Sequence, residues 1–276
     1  FFASGHMGSP LYPLCPPTHG NPDSPVHRRL HEAGLPVALA NPLRARLFAQ
    51  ASGTLAKTDA IDAAMLARMA ERLGPDPVAP PTPAQEELQE LASARQAAIA
   101  ERTALGNRLA AATSAFLRRE LATRLRTLER HIARLDSTIE TMIRADHELD
   151  RKARILRSIP GVGPVTSLAF LAPLGELGRI TAKQAAALAG LAPFARDSGT
   201  SQPKRRIHGG RAQLRCALYM AALSASRRNA DLKRFYQGLI ERGKPAKLAL
   251  AAVARKIVVL ANTLITENRH WTNVTP

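Results

Sequence analysis

The chain has 276 residues, enough for two or three units with cores of their own. Its 39 Lys plus Arg against 22 Asp plus Glu give a formal charge of +17, so it attracts a polyanion strongly and in a salt-dependent way. Only Cys15 and Cys216 are present, which excludes a disulfide framework or cysteine zinc site and suits a reducing cytoplasm, and an aromatic content of 4% excludes a platform built mainly from base stacking.

Residues 1–25 are rich in Pro and His and are expected to be poorly ordered. Residues 26–74 read as a helix, a short strand over residues 37–40, and a second helix carrying Asp59 and Asp62. Thr58 suits the N-cap of that second helix, ahead of an apolar-periodic run through Ile61, Met65, Leu66 and Met69. Carboxylates three residues apart on a first turn face the same way and offer two oxygens of the kind Mg²⁺ prefers. Taken alone, the same pair simply complements the helix dipole. Residues 75–83 contain Pro75, Pro77, Pro80, Pro81 and Pro83, which forbid a continuous helix and mark a linker.

Residues 84–150 contain no proline and only Gly106. Leu121, Leu125, Leu128, Ile132, Leu135, Ile139 and Met142 alternate in steps of four and three, the seam of a coiled coil. Leu105, Leu109, Ala112 and Phe116 form a similar stripe, and the register breaks between the two. The segment is therefore a helical hairpin or one stuttered rod, its seam buried against itself or against a second subunit.

Residues 151–270 hold the densest signals. Arg151, Lys152, Arg154 and Arg157 lead into a Pro160-Gly161-Val162-Gly163 hairpin between apolar runs. Gly161 and Gly163 allow the backbone to approach a phosphate, and the amides opening the next helix can donate to it; a plain tight turn fits the same four residues. Asp197-Ser198-Gly199-Thr200 has strong turn character and would present the Ser198 hydroxyl on a loop. Lys204, Arg205, Arg206 and His208 follow, and Arg211 and Arg215 recur at helical spacing. A serine attacking a phosphodiester builds charge on the non-bridging oxygens, which fixed guanidinium groups stabilise. No phosphate-binding Walker loop is present, and none is needed for a reaction that conserves bond energy. The apolar residues 248–265 are interrupted by Arg255 and Lys256, so they predict a buried helix and no membrane span, and no secretory signal precedes them.

Several of these motifs coincide in one known family. IPGVGPVTSLAFLA, then SGT followed by RRIHGGRAQLRCALYMAAL, then RRN with a later lysine-rich helix resemble the C-terminal domain of IS110-type insertion-sequence transposases. Lys57-Thr58-Asp59-Ala60-Ile61-Asp62-Ala63 resembles the end of that family's RuvC-like domain, and the likeness spans roughly residues 26–270. The resemblance implies a mainly α fold: an incomplete RuvC-like α/β N-terminal part, a coiled-coil middle over residues 84–150, and a helical C-terminal domain over residues 151–270 with a helix-hairpin-helix-like element.

The resemblance also implies a function, that of a transposase or recombinase that cuts and rejoins DNA, guided by an RNA from the element, in the bacterial cytoplasm near the nucleoid. Its metal site is an Asp-Glu-Asp-Asp set, of which Asp59 and Asp62 match the last two members, with Mg²⁺ as the expected ion. Ser198 matches the nucleophile. Gly161, Gly163, Lys204, Arg205, Arg206, Arg211 and Arg215 are the expected nucleic-acid contacts. A homo-oligomer is implied, in which one chain's serine meets another chain's metal domain. The chain departs from the pattern at its start. The strand bearing the first Asp has no counterpart, and Pro17 falls where the Glu is expected, in a proline-rich run, so a fragment or a disrupted reading frame is expected. The alternative is an inactive remnant that only binds DNA or RNA. A RuvC-like nuclease using water would need a complete carboxylate set.

Overall fold

The computed structural model describes residues 14–15, 25–54, 58–194, 206–207 and 209–272. The chain is mainly α-helical and divides into two compact units, Phe1–Glu86 and Glu87–Pro276.

The first unit carries two short strands, β1 (Leu14–Cys15) and β2 (Ala38–Leu39), paired in parallel with Leu14 opposite Ala38 and Cys15 opposite Leu39. The expected strand at residues 37–40 is thus present, and β1 is a partner that the proline-rich sequence around it conceals. Helix α1 (Pro25–Glu32) precedes β2. Helix α2 (Pro42–Ala51) follows it, opened by Asn41, whose side chain accepts from the amides of Leu43 and Arg44. Helix α3 (Asp59–Leu73) is capped by Thr58, as the sequence predicts, and ends at Gly74. Ala38, Ala40, Met69 and Ala70 form the small core, with Ala45, Phe48 and Leu66 packed on it. The proline-rich segment after α3 is stitched to this unit. The Val78 amide donates to the Val37 carbonyl at 2.8 Å, and the buried His27 ring nitrogen lies 2.8 Å from the Val78 carbonyl.

Helices α4 (Pro83–Ala111) and α5 (Ala115–Ala145) are separated by a break at residues 112–114, where the hydrophobic register changes. Arg95 of α4 pairs with Asp136 of α5, 41 residues away, so the segment is a hairpin and not a single rod. Burial along the seam is uneven: Leu105, Ile132, Ile139 and Ile143 are buried, Leu121, Leu125 and Leu128 are half-buried, and Phe116 and Leu117 at the tip are 64% and 51% exposed.

The remaining helices are α6 (His147–Ser158), α7 (Pro164–Leu171), α8 (Ala182–Leu188), α9 (Ala212–Arg228), α10 (Ala230–Glu241) and α11 (Ala246–Thr266). They pack around α11, which meets α6, α8, α9 and α10. Ala249, Val253, Ala254, Ile257, Val258, Ala261 and Leu264 on α11 are buried, as are Leu214, Leu218, Ala221, Ala222 and Ala225 on α9, with which α11 packs; small alanines on both helices favour close approach. By length and composition α11 is apolar enough to cross a membrane, but more than half of its apolar stretch is packed inside this core, so it is the buried helix the sequence predicts. Buried Asn262 ties it to the loop after α7, accepting from the Gly178 amide at 2.9 Å and donating to the Ile180 carbonyl at 2.7 Å.

A polar lock joins α5, α6 and α7. Arg157 grips Glu140 with two hydrogen bonds of 2.7 Å and donates through Nε to Ser167 Oγ at 3.1 Å. The Arg157 hydrogen bonds hold the Glu140 carboxyl below its ordinary value of 4.5, against the opposing effect of burial. A carboxyl held low in the fold stabilises it above its unfolded pKa, and that contribution is lost as pH falls through 4.5 and below. Urea midpoints are therefore expected to drop below pH 4.5, and to drop less in Arg157→Gln, which has already lost the pair. An Arg157→Gln profile that falls as steeply as wild type would contradict this.

Candidate functional site

The loop that carries Ser198 is closed at its base by two short antiparallel strands, β3 (Pro193–Phe194) and β4 (Arg206–Ile207), with Pro193 opposite Ile207 and Phe194 opposite Arg206. Ser198, Lys204, Arg205 and His208 lie outside the described residues. Arg206 stands in β4, so its backbone sits at the neck of the loop.

The neck is anchored by backbone packed on backbone. Gly190, just after α8, and Gly210, just before α9, approach so closely that a Cβ on Gly210 would lie 2.1 Å from the Gly190 nitrogen and 2.8 Å from the Leu188 oxygen. Both have positive φ, +66° each. The Arg211 amide adds a hydrogen bond to the Leu188 carbonyl at 2.8 Å, and Arg215 donates to the Gly209 carbonyl at 2.6 Å. Arg211 forms the N-cap of α9 and pairs with Glu176 at 2.9 Å. The two arginines expected to share a helix face do open the same helix, and each is also used to hold the loop's base. Gly190, Gly210 and Glu176 are the residues the sequence reading missed. The Gly209-Gly210 pair is a local signal, but its partner lies 20 residues upstream and is not. α9 itself opens with no side-chain cap.

The Pro160-Gly161-Val162-Gly163 hairpin links α6 to α7 as expected, but its two glycines differ. Gly161 has φ +101°, and a Cβ there would lie 2.8 Å from both the nitrogen and the Cβ of Ala225 on α9. Gly161 is therefore packed inward. Gly163, at φ −95°, is the N-cap of α7, with nothing within 4 Å of its Cβ position. Pro164 follows at the first helical position, where it lacks only an amide that has no helical partner, and Val165 is 56% exposed.

The basic residues that lead into the hairpin all have acidic partners. Arg151 and Lys152 both pair with Glu148, Arg154 with Asp150, and Arg157 with Glu140. Three of these contacts run between residues three or four apart on one helix, the spacing at which side chains meet. Hydrogen bonds from Arg151, with the Lys152 charge adding to them, hold the Glu148 carboxyl below its ordinary value. Arg154→Gln is accordingly expected to leave DNA affinity within about twofold, as read from titrations at fixed salt, because most of its charge is already neutralised by Asp150. A tenfold loss would show that the pair opens to bind phosphate.

In the first unit, Asp59 and Asp62 occupy the first turn of α3, beside β1. Asp59 is exposed and Asp62 half-buried. Two carboxylate oxygens on one turn suit one edge of a Mg²⁺ shell. Among the described residues, no third His, Cys, Asp or Glu joins them, so the described residues by themselves do not complete a site. Pro17, where the resemblance expects a Glu, lies outside the described residues.

Known sequences decide which family this arrangement belongs to. The model of the Transposase IS116/IS110/IS902 family matches residues 153–237, which run from α6 through the hairpin and the Ser198 loop into α10. A second transposase model, the DEDD type of IS110 elements, matches residues 18–117. The pilin gene-inverting protein of Moraxella bovis is 31% identical over 241 residues, 84% of this chain and 73% of that protein. The chain belongs to the IS116/IS110/IS902 transposase family. This transposase is also 34% identical to a probable family 20 transposase of Pseudomonas aeruginosa over 154 residues, 51% of the chain and 42% of the relative. It is 33% identical to the insertion element IS116 protein of Streptomyces clavuligerus over 160 residues, 57% of the chain and 39% of the relative. It is a DNA transposase or recombinase of the insertion-sequence type, and DNA is what it acts on. Both family matches include residues singled out from the sequence: Asp59 and Asp62 in one, and Gly161, Gly163, Ser198 and Arg211 in the other.

Proposed function

We propose that this transposase cuts and rejoins DNA by attack of Ser198 Oγ on the scissile phosphate. A serine phosphodiester forms as one strand P–O bond breaks, and a free strand hydroxyl later reverses the exchange, so no nucleotide triphosphate is consumed. The observation that carries this reading is the anchored neck of the loop. β3 and β4, the Gly190–Gly210 contact and the Arg215 hydrogen bond fix the loop's ends beside the uncapped N-terminus of α9 and the Arg211 guanidinium, both suited to stabilise phosphate charge. Lys204, Arg205 and Arg206 supply further positive charge next to the serine in sequence. Gly163 and the amides that open α7 hold a strand backbone, with Gly161 allowing the hairpin to pack.

Asp59 and Asp62 would contribute two oxygens to Mg²⁺, which when bound neutralises charge on the phosphate. A second copy of the chain would cover the exposed tip of the α4–α5 hairpin, where Phe116, Leu117 and the half-buried leucines of α5 form an unfinished seam. A guide RNA from the element accounts for part of the +17 charge.

Nicked element-end DNA incubated with Mg²⁺ and flanking-element RNA tests the reading by the yield of joined product. Ser198→Ala is expected to lower that yield by about a thousandfold or more, and Asp59→Asn and Asp62→Asn to lower it as well, with DNA affinity kept. The competing reading, a remnant that only binds, is favoured by the incomplete carboxylate set among the described residues. It predicts no joined product from wild type and identical binding by Ser198→Ala.

A further inference from the structure

We propose that the groove between α10, α11 and the segment after α11 is a binding site for one unpaired nucleobase of a single-stranded stretch of DNA or RNA. The groove is lined by Asp231, Leu232, Arg234, Phe235, Lys256, Leu260 and Trp271, and its volume of about 510 Å³ falls in the range of small-ligand sites. Leu232 is buried, while Phe235, Leu260 and Trp271 are half-buried, so the floor is apolar and two-ringed. The rim is cationic. Lys256 Nζ stands 4.6 Å from the Phe235 ring centroid, and Arg234 reaches Asp231 only at 3.9 Å. Lys233 is exposed on α10, and Arg227 and Arg228 are exposed at the end of α9, the helix that precedes it.

An apolar, aromatic floor beneath a cationic rim matches the two halves of a nucleotide: a flat π face and a phosphate. A base within a duplex is stacked and cannot reach such a floor, so the groove selects unpaired bases. Sparse aromatics exclude a stacking platform, and they leave room for a single stacking site. This one gathers the chain's only Trp and one of its seven Phe residues.

The groove's position is built, not incidental. The Trp271 amide donates to Ser158 Oγ at 2.8 Å, and Arg151 donates to Asn268 Oδ1 at 2.5 Å, so the segment after α11 is fastened along α6. Ser158 is the last residue of α6, two residues before Pro160 of the hairpin. A strand whose backbone meets the hairpin therefore has a base-sized groove at the same end of α6. The overall charge of +17 and the exposed arginines around α10 favour a polyanion over an apolar partner here.

Because Trp271 is the only tryptophan, its fluorescence in the full chain reports on the groove directly. Titration with a short oligothymidylate or an oligouridylate is expected to quench it, and an abasic strand of the same length and charge is expected to leave it unchanged. Quenching by the first alone assigns the groove to DNA, and by the second alone to RNA; either supports the site. Phe235→Leu, which keeps apolar volume and removes the ring, and Lys256→Gln are each expected to weaken binding about fivefold or more, with thermal melts confirming that both fold. Trp271→Leu, followed with a labelled strand, should show the same loss. Equal quenching by the abasic strand or by a duplex would overturn the proposal. So would strand binding without any fluorescence change, or a change that follows protein concentration alone, which would assign the groove to a second copy of the chain.

Discussion

Replacing Gly210 by alanine is expected to lower stability by about 3 kcal/mol or more, summing backbone strain and overpacking, and to abolish strand joining. The new Cβ would stand 2.1 Å from the Gly190 nitrogen, 2.4 Å from its Cα and 2.8 Å from the Leu188 oxygen. All three are backbone atoms, so no side chain can swing aside. The φ of +66° adds strain for any residue with a Cβ. Relief requires α9 to withdraw from the end of α8, which breaks the Gly190–Gly210 contact and the Arg211 amide bond to Leu188. Those contacts hold the neck of the Ser198 loop, so activity should fall further than the loss of folded protein explains. Urea unfolding alongside a joining assay separates the two effects. Joining in proportion to the folded fraction would show that the neck does not position the loop.

The second large effect is expected at Gly161, and it divides the two hairpin glycines by role. Gly161→Ala places a Cβ 2.8 Å from the Ala225 nitrogen at φ +101°, so α7 and α9 must separate. A loss of about 3 kcal/mol follows from the same two causes. Gly163→Ala meets nothing within 4 Å and has an ordinary φ, so its stability should change by no more than about 1 kcal/mol, the scale of an N-cap change. If the hairpin holds a strand backbone, Gly163→Ala is the variant that weakens DNA binding while still folding. Equal stability losses at both positions would refute the division, and unchanged DNA affinity in Gly163→Ala would remove the hairpin from the interface.

What the sequence revealed and concealed follows from range. Thr58 capping a helix with Asp59 and Asp62 on its first turn is local chemistry, and α3 begins there. The strand at residues 37–40, the hairpin before α7 and the buried character of α11 were legible for the same reason: pattern and turn residues lie side by side. The inward role of Gly161 was not legible, because Ala225 lies 64 residues away. Nor was the Arg157–Glu140 lock, whose partners sit on different helices. The ion pairs along α6 are a different case. Glu148 and Asp150 stand within four residues of Arg151, Lys152 and Arg154, so their pairing follows from helical spacing alone. The proline-rich start concealed β1, because two residues of strand leave no periodic signal.

The proposed reaction joins Ser198 covalently to DNA. The most direct measurement is to trap the protein on nicked element-end DNA with Mg²⁺ and flanking-element RNA, denature it, digest it, and locate any nucleotide-bearing peptide by mass spectrometry. An adduct is expected on the peptide containing Ser198, and none in Ser198→Ala. An adduct on another residue, or cut strands with no adduct from a wild-type chain and from Ser198→Ala alike, would contradict it and assign the cutting to water.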